Sequence, residues 1–471
     1  MGPAPKNLLI LMSDEHDPRF LGVSGHPRVK TPHLDALAAR GRRFDAAYTP
    51  SPICVPARAA FATGRRVHEI RHWDNAMPYD GRHPGWGHAL QAAGVPVESI
   101  GKLHYRAEED PAGFDVEHIP MHVVGGHGMV WASIRDPYVQ PGEKARGRML
   151  GPYIGPGEST YTEYDRSVTA RAVEWFGAAP EGPWVLYVGL VAPHFPLVCP
   201  PEFFDLYPPA EMPEPKLAPG SGYTPHPWVA EQGAFMDNEA HFRDAAERKA
   251  AISAYHGLVS WLDHNVGEIL GALEGAGLGG ATRVVYTSDH GDNVGARGLW
   301  GKSNMYEESV RVPLILAGPD VAPGVETAPV DLLDLAPTIL EGAGASVPEG
   351  LPGRTLFGAL DPERPIFSEY HAAGSNTAAF MLRRGRWKLI HYVGHAPELF
   401  DLAEDPEELT DLAAARPEIV AALEAELRSI CDPVETDRAA KADQAALINR
   451  FGGRAAAIAL GADGATPPPK G

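Results

Sequence analysis

Cys54 lies in the segment Cys54-Val55-Pro56-Ala57-Arg58 and is one of only three cysteines in a chain of 471 residues. A free cysteine is most often a small buried hydrophobe, and as a thiolate it can also act as a nucleophile. Neither role requires a proline two residues later and an arginine four residues later. The C-x-P-x-R spacing therefore indicates a specific chemical use of residue 54. Arg58, near the start of a predicted helix, would lie beside it and hold an oxygen of the nucleophile.

Two aspartates that follow apolar runs are candidate ligands for a divalent cation. Asp14 follows the first apolar run, and Asp289 follows a later run and precedes His290. One such aspartate is usually a helix N-cap or turn residue, but two of them, with an adjacent imidazole, favour a metal site. Carboxylates suit calcium, and the histidine shifts the preference towards manganese or zinc. Glu15 is a possible further ligand, although adjacent side chains do not easily point to the same place.

Several basic residues are candidates for binding the negative oxygens of an ester. A lone lysine is usually a solvated surface group. Here, however, two lysines follow glycines that permit close backbone approach, and one histidine lies between two prolines that restrict its direction. The candidates are Lys102, His104, His194 and Lys302. With a nucleophile and a divalent cation, they complete the parts that a metal-dependent sulfate- or phosphate-ester hydrolase needs.

The elements that must position these residues can be predicted from the apolar runs. Buried strands are expected at 7–13, 95–100, 184–191, 283–287 and 312–317, and helices at 33–40, 57–63, 244–275, 330–340 and 417–430. This alternation predicts an α/β sandwich with a mostly parallel sheet. Ligands bind at the carboxyl ends of such strands. We therefore expect Asp14, Lys102, His194 and Asp289 to meet at one edge of the sheet.

The character of the chain changes near residue 365. Residues 386–392 and 398–402 read as short antiparallel strands, so we predict a catalytic domain over 1–365 and a C-terminal subdomain over 366–471. The last ~20 residues read as a tail or as an arm on a neighbouring subunit, and we expect a homo-oligomer. Loops at 105–160 and 200–240 are expected to form the wall of the substrate pocket.

Composition and charge exclude several classes of partner. A formal net charge of −20 disfavours nucleic acid, and no apolar run is long enough to span a membrane. The N-terminal residues lead into a strand and not into a signal-peptide cleavage site, and three separated cysteines suit a reducing compartment. We expect a cytoplasmic protein in which an anionic substrate binds a local cationic pocket.

Taken together, these motifs resemble the sulfatases of the alkaline phosphatase superfamily, from about Asn7 to about Leu412. Within that family, the Trp73-Asp74-Asn75 stretch and Asp289-His290 are more similar to the choline-sulfatase and phosphonate-monoester-hydrolase branches. The landmarks are Ser13-Asp14-Glu15, Thr31-Pro32-His33-Leu34-Asp35, Cys54-Val55-Pro56-Ala57-Arg58, Gly101-Lys102-Leu103-His104, Pro193-His194-Phe195-Pro196, Ser288-Asp289-His290-Gly291-Asp292, Gly298-Leu299-Trp300-Gly301-Lys302 and Glu398-Leu399-Phe400-Asp401-Leu402.

The resemblance implies a fold, a cofactor and roles for single residues. The fold would be a large α/β domain with a central mixed sheet and a small C-terminal domain with a four-stranded antiparallel sheet. A maturation enzyme would oxidise Cys54 to formylglycine. One divalent ion, calcium or manganese, would be held by Asp14, residue 54, Asp289 and His290. The nucleophile and the ester would be surrounded by Arg58, Lys102, His104, His194 and Lys302, with Asn75 also binding substrate. Glu15 departs from the second metal-binding aspartate of many sulfatases.

The sequence therefore predicts metal-dependent hydrolysis of a small anionic sulfate ester through a formylglycine at position 54. Phosphonate monoesters and phosphodiesters are the alternative substrates, because they share the tetrahedral shape of sulfate esters and their loose transition states. A catalytically silent binding protein on the same fold is a third reading. The expected partners are the substrate and the formylglycine-generating enzyme.

Overall fold

The computed structural model describes residues 4, 6–139, 150–151, 153–460 and 468. Its strands in chain order are β1 (Asn7–Asp14), β2 (Gly41–Phe44), β3 (Ala47–Tyr48), β4 (Val97–Lys102), β5 (Val116–Met121), β6 (Gly155–Pro156), β7 (Val185–Pro193), β8 (Val198–Cys199), β9 (Thr282–Ser288), β10 (Arg311–Val312), β11 (Leu314–Ala317), β12 (Gly324–Glu326), β13 (Val330–Asp331), β14 (Ile366–Tyr370), β15 (Ala379–Arg384), β16 (Trp387–Tyr392) and β17 (Glu398–Asp401).

The α-helices lie between these strands and after them. They are α1 (Pro32–Ala39), α2 (Cys54–Thr63), α3 (Val67–Ile70), α4 (Trp86–Ala92), α5 (Thr160–Phe176), α6 (Pro201–Phe204), α7 (Pro227–Phe235), α8 (Ala245–Gly275), α9 (Glu307–Val310), α10 (Leu335–Ala343), α11 (Pro417–Ile430), α12 (Pro433–Arg450) and α13 (Arg454–Leu460). Within the described ranges, no helix combines the length and apolar composition needed to cross a bilayer.

A mixed sheet of eight strands forms the centre of the described structure, in the order β12-β2-β11-β9-β1-β7-β4-β5. The run from β9 to β5 is parallel, and β11 pairs antiparallel with both of its neighbours. Strand β1 is buried on both faces, as its continuous apolar sequence predicts. Leu9 and Leu11 pack in the core with α5 and α8, and Ile10 packs with α10 on the other face. The predicted α/β sandwich is therefore confirmed.

Three local predictions differ from the structure, each for a reason of backbone chemistry. Helix α2 begins at Cys54 and not at 57, since Pro56 fits the first helical turn, where its missing N–H is not needed. The predicted strand 312–317 divides at Pro313 into β10 and β11, because proline cannot donate a ladder hydrogen bond. The predicted helix 330–340 starts as strand β13 and a 3-10 turn capped by Asp331, and α10 begins only at Leu335.

A second, four-stranded antiparallel sheet, β14-β15-β16-β17, lies in the C-terminal part of the described chain. Its strands β16 and β17 and helix α11 match the predicted elements. Leu423 and Leu427 of α11 pack against one face, and Tyr48 of β3 and Tyr306, which precedes α9, pack against the other. The domain boundary at 365 stays a prediction. Of the predicted terminal tail, 461–467 and 469–471 lie outside the described residues, as do 140–149 and 152 of the predicted loops.

Candidate active site

The four residues that follow the predicted strands meet at the carboxyl edge of the central sheet. Asp14 ends β1 and Lys102 ends β4, while His194 and Asp289 come directly after β7 and β9. Strand β1 lies between β7 and β9, so these side chains share one location. Lys102 Nζ is 2.6 Å from Asp14 Oδ2, and His194 Nε2 is 3.9 Å from Asp14 Oδ1.

Cys54, the first residue of α2, points into this location. Its Sγ is 3.1 Å from His290 Nε2 and 3.7 Å from Asp14 Oδ1. Burial and the Asp14 carboxylate raise the pKa of Cys54 to about 12, so an unmodified thiol without a bound cation would stay protonated at neutral pH. This environment does not favour the alternative of a free thiolate nucleophile.

The donor atoms of four residues fit a divalent cation. One ligand atom each from Asp14, Cys54, Asp289 and His290 lies within 4.8 Å of the others. His290 Nδ1 is 3.0 Å from the carbonyl oxygen of Gly291, which fixes Nδ1 as the hydrogen-bond donor and leaves Nε2 free to bind a metal. Two carboxylates and one imidazole form a donor set that suits a divalent cation.

Glu15 also faces the site, contrary to the expectation that adjacent side chains point apart. Its φ of 73° lies in the left-handed region, which turns its carboxylate towards Asp14 and His194. Both carboxylate oxygens are buried and accept no hydrogen bond, although Lys302 Nζ lies 3.1 Å from Oε1. Burial raises the pKa of Glu15 well above its usual value. A cation bound beside these oxygens would favour the ionised carboxylate and would supply the partner that they lack.

Arg58 holds two of the candidate metal-ligand carboxylates and makes no hydrogen bond to Cys54 among the described contacts. Its Nε donates to Asp289 Oδ2 at 2.8 Å and its Nη2 donates to Asp14 Oδ2 at 3.1 Å. Its Nη1 donates to the Lys102 carbonyl and to Tyr187 Oη. A buried guanidinium with these partners fixes the carboxylates between β1 and α2, so its geometry is that of a positioning group.

The remaining basic residues surround the same point with different charge states. Burial opposes the charge on Lys302, but Cys54 and Glu15 raise its pKa overall. Burial lowers the pKa of His104 and of His194, and the neighbouring cations lower both further. The site therefore combines charged lysines with neutral histidines.

A pocket opens on residue 54, and its wall is rich in aromatic and thioether side chains. Met129 and residues 232–236 contribute to it from the two regions predicted to form the wall, although 232–235 belong to helix α7 and not to a loop. Further residues come from 299–304 and 370–373. The polar lining includes Asn75, His104, His194 and Lys302, and the apolar lining includes Met129, Phe195, Phe235, Met236, Trp300 and Tyr370. Asn75 Oδ1 also accepts a hydrogen bond from the backbone N–H of Val55 at 3.2 Å.

Two functional neighbours were not predicted from the sequence. Tyr187 lies within β7 and binds Arg58, and nothing in its strand pattern distinguishes it from a core residue. Asp292 Oδ1 accepts from the N–H groups of Val294 and Gly301 at 2.7 and 3.0 Å, which fixes the turn that carries Lys302. Its place in the segment Asp289-His290-Gly291-Asp292, just after the candidate metal ligands, could have indicated this role from the sequence.

Comparison with known proteins agrees with this geometry. The Sulfatase family model matches residues 6–345, and the model for the C-terminal part of N-sulphoglucosamine sulphohydrolase matches residues 295–432. The chain belongs to the sulfatase family. The predicted family is therefore confirmed, and with it the enzyme class, the sulfuric ester hydrolases.

Relatives and solved structures cover most of the chain. Choline-sulfatase of Rhizobium meliloti is 33% identical over 429 residues, which cover 86% of this chain and 82% of that protein. Arylsulfatase K of Bos taurus is 31% identical over 465 residues, with 91% and 82% covered. Phosphonate monoester hydrolase of Agrobacterium radiobacter superposes with a TM-score of 0.73 at 24% identity, covering 90% of this chain and 95% of that one. The structural match confirms the fold.

Proposed function

We propose that this sulfatase hydrolyses small, singly charged sulfate esters through a formylglycine made from Cys54, with one divalent cation at the carboxyl edge of the central sheet. The observation that carries the proposal is the position of Cys54 Sγ, 3.1 Å from His290 Nε2 and 3.7 Å from Asp14 Oδ1. Residue 54 is thus held against the metal-ligand set, where a nucleophile oxygen would be needed.

The charges of the site support a singly charged ester. Burial raises the pKa of Glu15, and a bound divalent ion would oppose this by favouring the ionised carboxylate. With the ion bound, the carboxylates of Asp14, Glu15 and Asp289 would face three cations, Arg58, Lys102 and Lys302. A divalent ion adds two positive charges, which balance one ionised nucleophile oxygen and one negative charge on the ester. Phosphate monoesters carry nearly two negative charges, so the occupied site would have an excess of negative charge.

The bound cation would lower the pKa of the nucleophile oxygen and would stabilise charge on the transferring group. Around it, Lys102 and Lys302 bind the non-bridging oxygens of the ester, and Arg58 keeps Asp14 and Asp289 in place. His194 Nδ1 is 2.6 Å from the Phe195 carbonyl oxygen, so its proton is engaged there. Lys302 Nζ, which lines the pocket, is therefore the better donor to the leaving oxygen. His104, on the wall beside Cys54, orients the nucleophile.

A second candidate function is hydrolysis of phosphonate monoesters or phosphodiesters. These esters also carry one negative charge, so the charge balance does not separate them from sulfate esters. The structural neighbours from Agrobacterium radiobacter and Silicibacter pomeroyi, both named phosphonate monoester hydrolases, favour keeping this alternative.

The first test is the mass of the tryptic peptide that contains residue 54, from protein made with and without a formylglycine-generating enzyme. The aldehyde lacks one sulfur and two hydrogens relative to cysteine and carries one more oxygen. The peptide that contains Cys431 is the internal control and should keep its thiol. An unchanged residue 54 in an active, co-expressed sample would contradict the proposal.

The second test compares kcat/KM for aryl sulfate, choline sulfate, a phosphonate monoester, a phosphodiester and a phosphate monoester on one sample. We expect activity on the three singly charged classes, highest for a sulfate, and much lower activity on the phosphate monoester. A phosphodiester or phosphonate far above every sulfate would make the second candidate the main function. A phosphate monoester at the top would refute the charge argument.

A further inference from the structure

Helix α12 lies outside the matched family regions, yet it packs behind the segment that carries Asn75. The two family models end at residues 345 and 432, and α12 begins at Pro433. Two consecutive residues of this helix, Asp443 and Gln444, bind side chains of the Trp73-Asp74-Asn75 stretch. This helix is therefore a support for the site that the family match does not describe.

The contacts between α12 and this stretch are buried and specific. Trp73 Nε1 donates to Asp443 Oδ2 at 2.8 Å, and Gln444 Nε2 donates to Asp74 Oδ2 at 2.8 Å. Gln444 Nε2 also donates to the carbonyl oxygen of His371 at 2.7 Å. The side chains of Trp73, Asp74 and Gln444 are all buried. Because a buried polar group left without its partner is costly, these bonds fix the position of residues 73 and 74.

The next residue, Asn75, connects this support to the nucleophile. Helix α2 starts at Cys54, and its N-cap residue Ile53 has no side-chain oxygen to accept a hydrogen bond from the first turn. Asn75 Oδ1 supplies that acceptor by binding the N–H of Val55. Asn75 and Cys54 also line the same pocket. Two hydrogen bonds, from Gln444 to Asp74 and from Val55 to Asn75, therefore connect α12 to the first turn of α2 through the peptide bond between residues 74 and 75.

We propose that Asp443 and Gln444 are positioning residues of the active site, and that α12 sets the position of Asn75 and of the helix turn that carries residue 54. The kinetic consequence rests on the proposed function, whereas the structural consequence does not.

The kinetic test is a double-mutant cycle between Gln444→Leu and Asn75→Ala. Leucine has a volume close to that of glutamine but cannot bind Asp74. We expect Gln444→Leu to lower kcat/KM roughly 10-fold and to raise KM, which a smaller folded fraction would not change. Since both changes act on one chain of bonds, the double variant should lose little more than the larger single loss. Arg438→Ala, an exposed change on the same helix, is the control and should leave kcat/KM unchanged.

A second readout does not depend on catalysis. In protein made without the maturation enzyme, Cys54 is a buried thiol at the start of α2. Loss of the Asn75 cap should loosen this turn, so iodoacetamide should alkylate Cys54 several-fold faster in Gln444→Leu and in Asn75→Ala, relative to Cys431 as reference. If Gln444→Leu does not fold, Trp73→Phe, which removes the indole donor to Asp443 together with one ring of the side chain, replaces it in both measurements.

The outcomes separate this inference from the proposed function. Wild-type kcat/KM and wild-type alkylation in a folded variant would overturn the inference, as would fully additive losses in the cycle. If the wild-type protein hydrolyses no sulfate ester, the proposed function fails, and faster alkylation of Cys54 would still support the positioning role.

Discussion

Replacing Arg58 by methionine tests how far the active-site carboxylates depend on one guanidinium. Arg58 binds Asp289 Oδ2 at 2.8 Å and Asp14 Oδ2 at 3.1 Å, and its side chain is 1% exposed. Methionine keeps an unbranched side chain but donates no hydrogen bond. Removing one partner of a buried ion pair typically costs about 3–5 kcal/mol. In the variant, Asp14 keeps its ion pair with Lys102 at 2.6 Å, and mainly Asp289 is left without a cation. We therefore expect the free energy of unfolding to fall by about 3 kcal/mol, the lower end of this range.

The assay is denaturant unfolding of metal-free, unmodified protein in EDTA, repeated with calcium or manganese. A divalent ion bound only by the folded state, at 100 times its Kd, adds about 2.7 kcal/mol to the free energy of unfolding. The variant has one more uncompensated negative charge beside the ligand set. We therefore expect the added cation to reduce the difference in stability between variant and wild type.

Arg40→Met is the matched control. Arg40 Nη1 lies 2.7 Å from Glu274 Oε1, but both side chains are about half exposed. Exposed ion pairs contribute about 0–1 kcal/mol because water screens the charges, so this variant should unfold almost like the wild type. If Arg58→Met were no less stable than Arg40→Met in EDTA, the two carboxylates would not depend on Arg58, and its assignment as their support would be wrong.

Three further predictions concern Cys54, Asp289 and the buried ion pair of Glu307 with Lys388. Cys54→Ala should abolish turnover and leave the free energy of unfolding nearly unchanged, because little core volume is lost. The control, Cys431→Ala, should keep full activity. Retained turnover in Cys54→Ala would exclude the covalent mechanism. Asp289→Asn should lower both the bound metal, measured by elemental analysis, and the rate by orders of magnitude, because a charged hard ligand becomes a neutral amide; full metal occupancy at a normal rate would place the cation elsewhere. Burial opposes ionisation of Glu307, but Lys388 Nζ at 2.8 Å lowers its pKa from 4.5 to about 2. The stability that this ion pair contributes is therefore complete above pH 4.5 and is lost as the pH falls to about 2. Glu307→Gln should remove this part of the acid sensitivity in unfolding measurements, and an unchanged pH dependence would show that the pair does not contribute.

The sequence by itself located the central strands to within a few residues and singled out the candidate reactive residues. Short, continuous apolar runs that end at polar residues favour internal strands, so the residues after them were expected at one sheet edge. Asp14, Lys102, His194 and Asp289 do meet there. The C-x-P-x-R spacing singled out Cys54 without any structural information, because motif spacing is a local property of the chain.

Tertiary structure decided which partner each of these side chains has. Arg58 binds the carboxylates of Asp14 and Asp289, which are 44 and 231 residues away, and among the described contacts it makes no hydrogen bond to Cys54. Glu15 faces the site because its backbone adopts a left-handed conformation that its sequence position does not reveal. The cap of α2 comes from Asn75, and the preceding residue, Asp74, accepts a hydrogen bond from Gln444, 370 residues further along the chain. Such contacts depend on how distant segments pack, and hydrophobic periodicity carries no information about them.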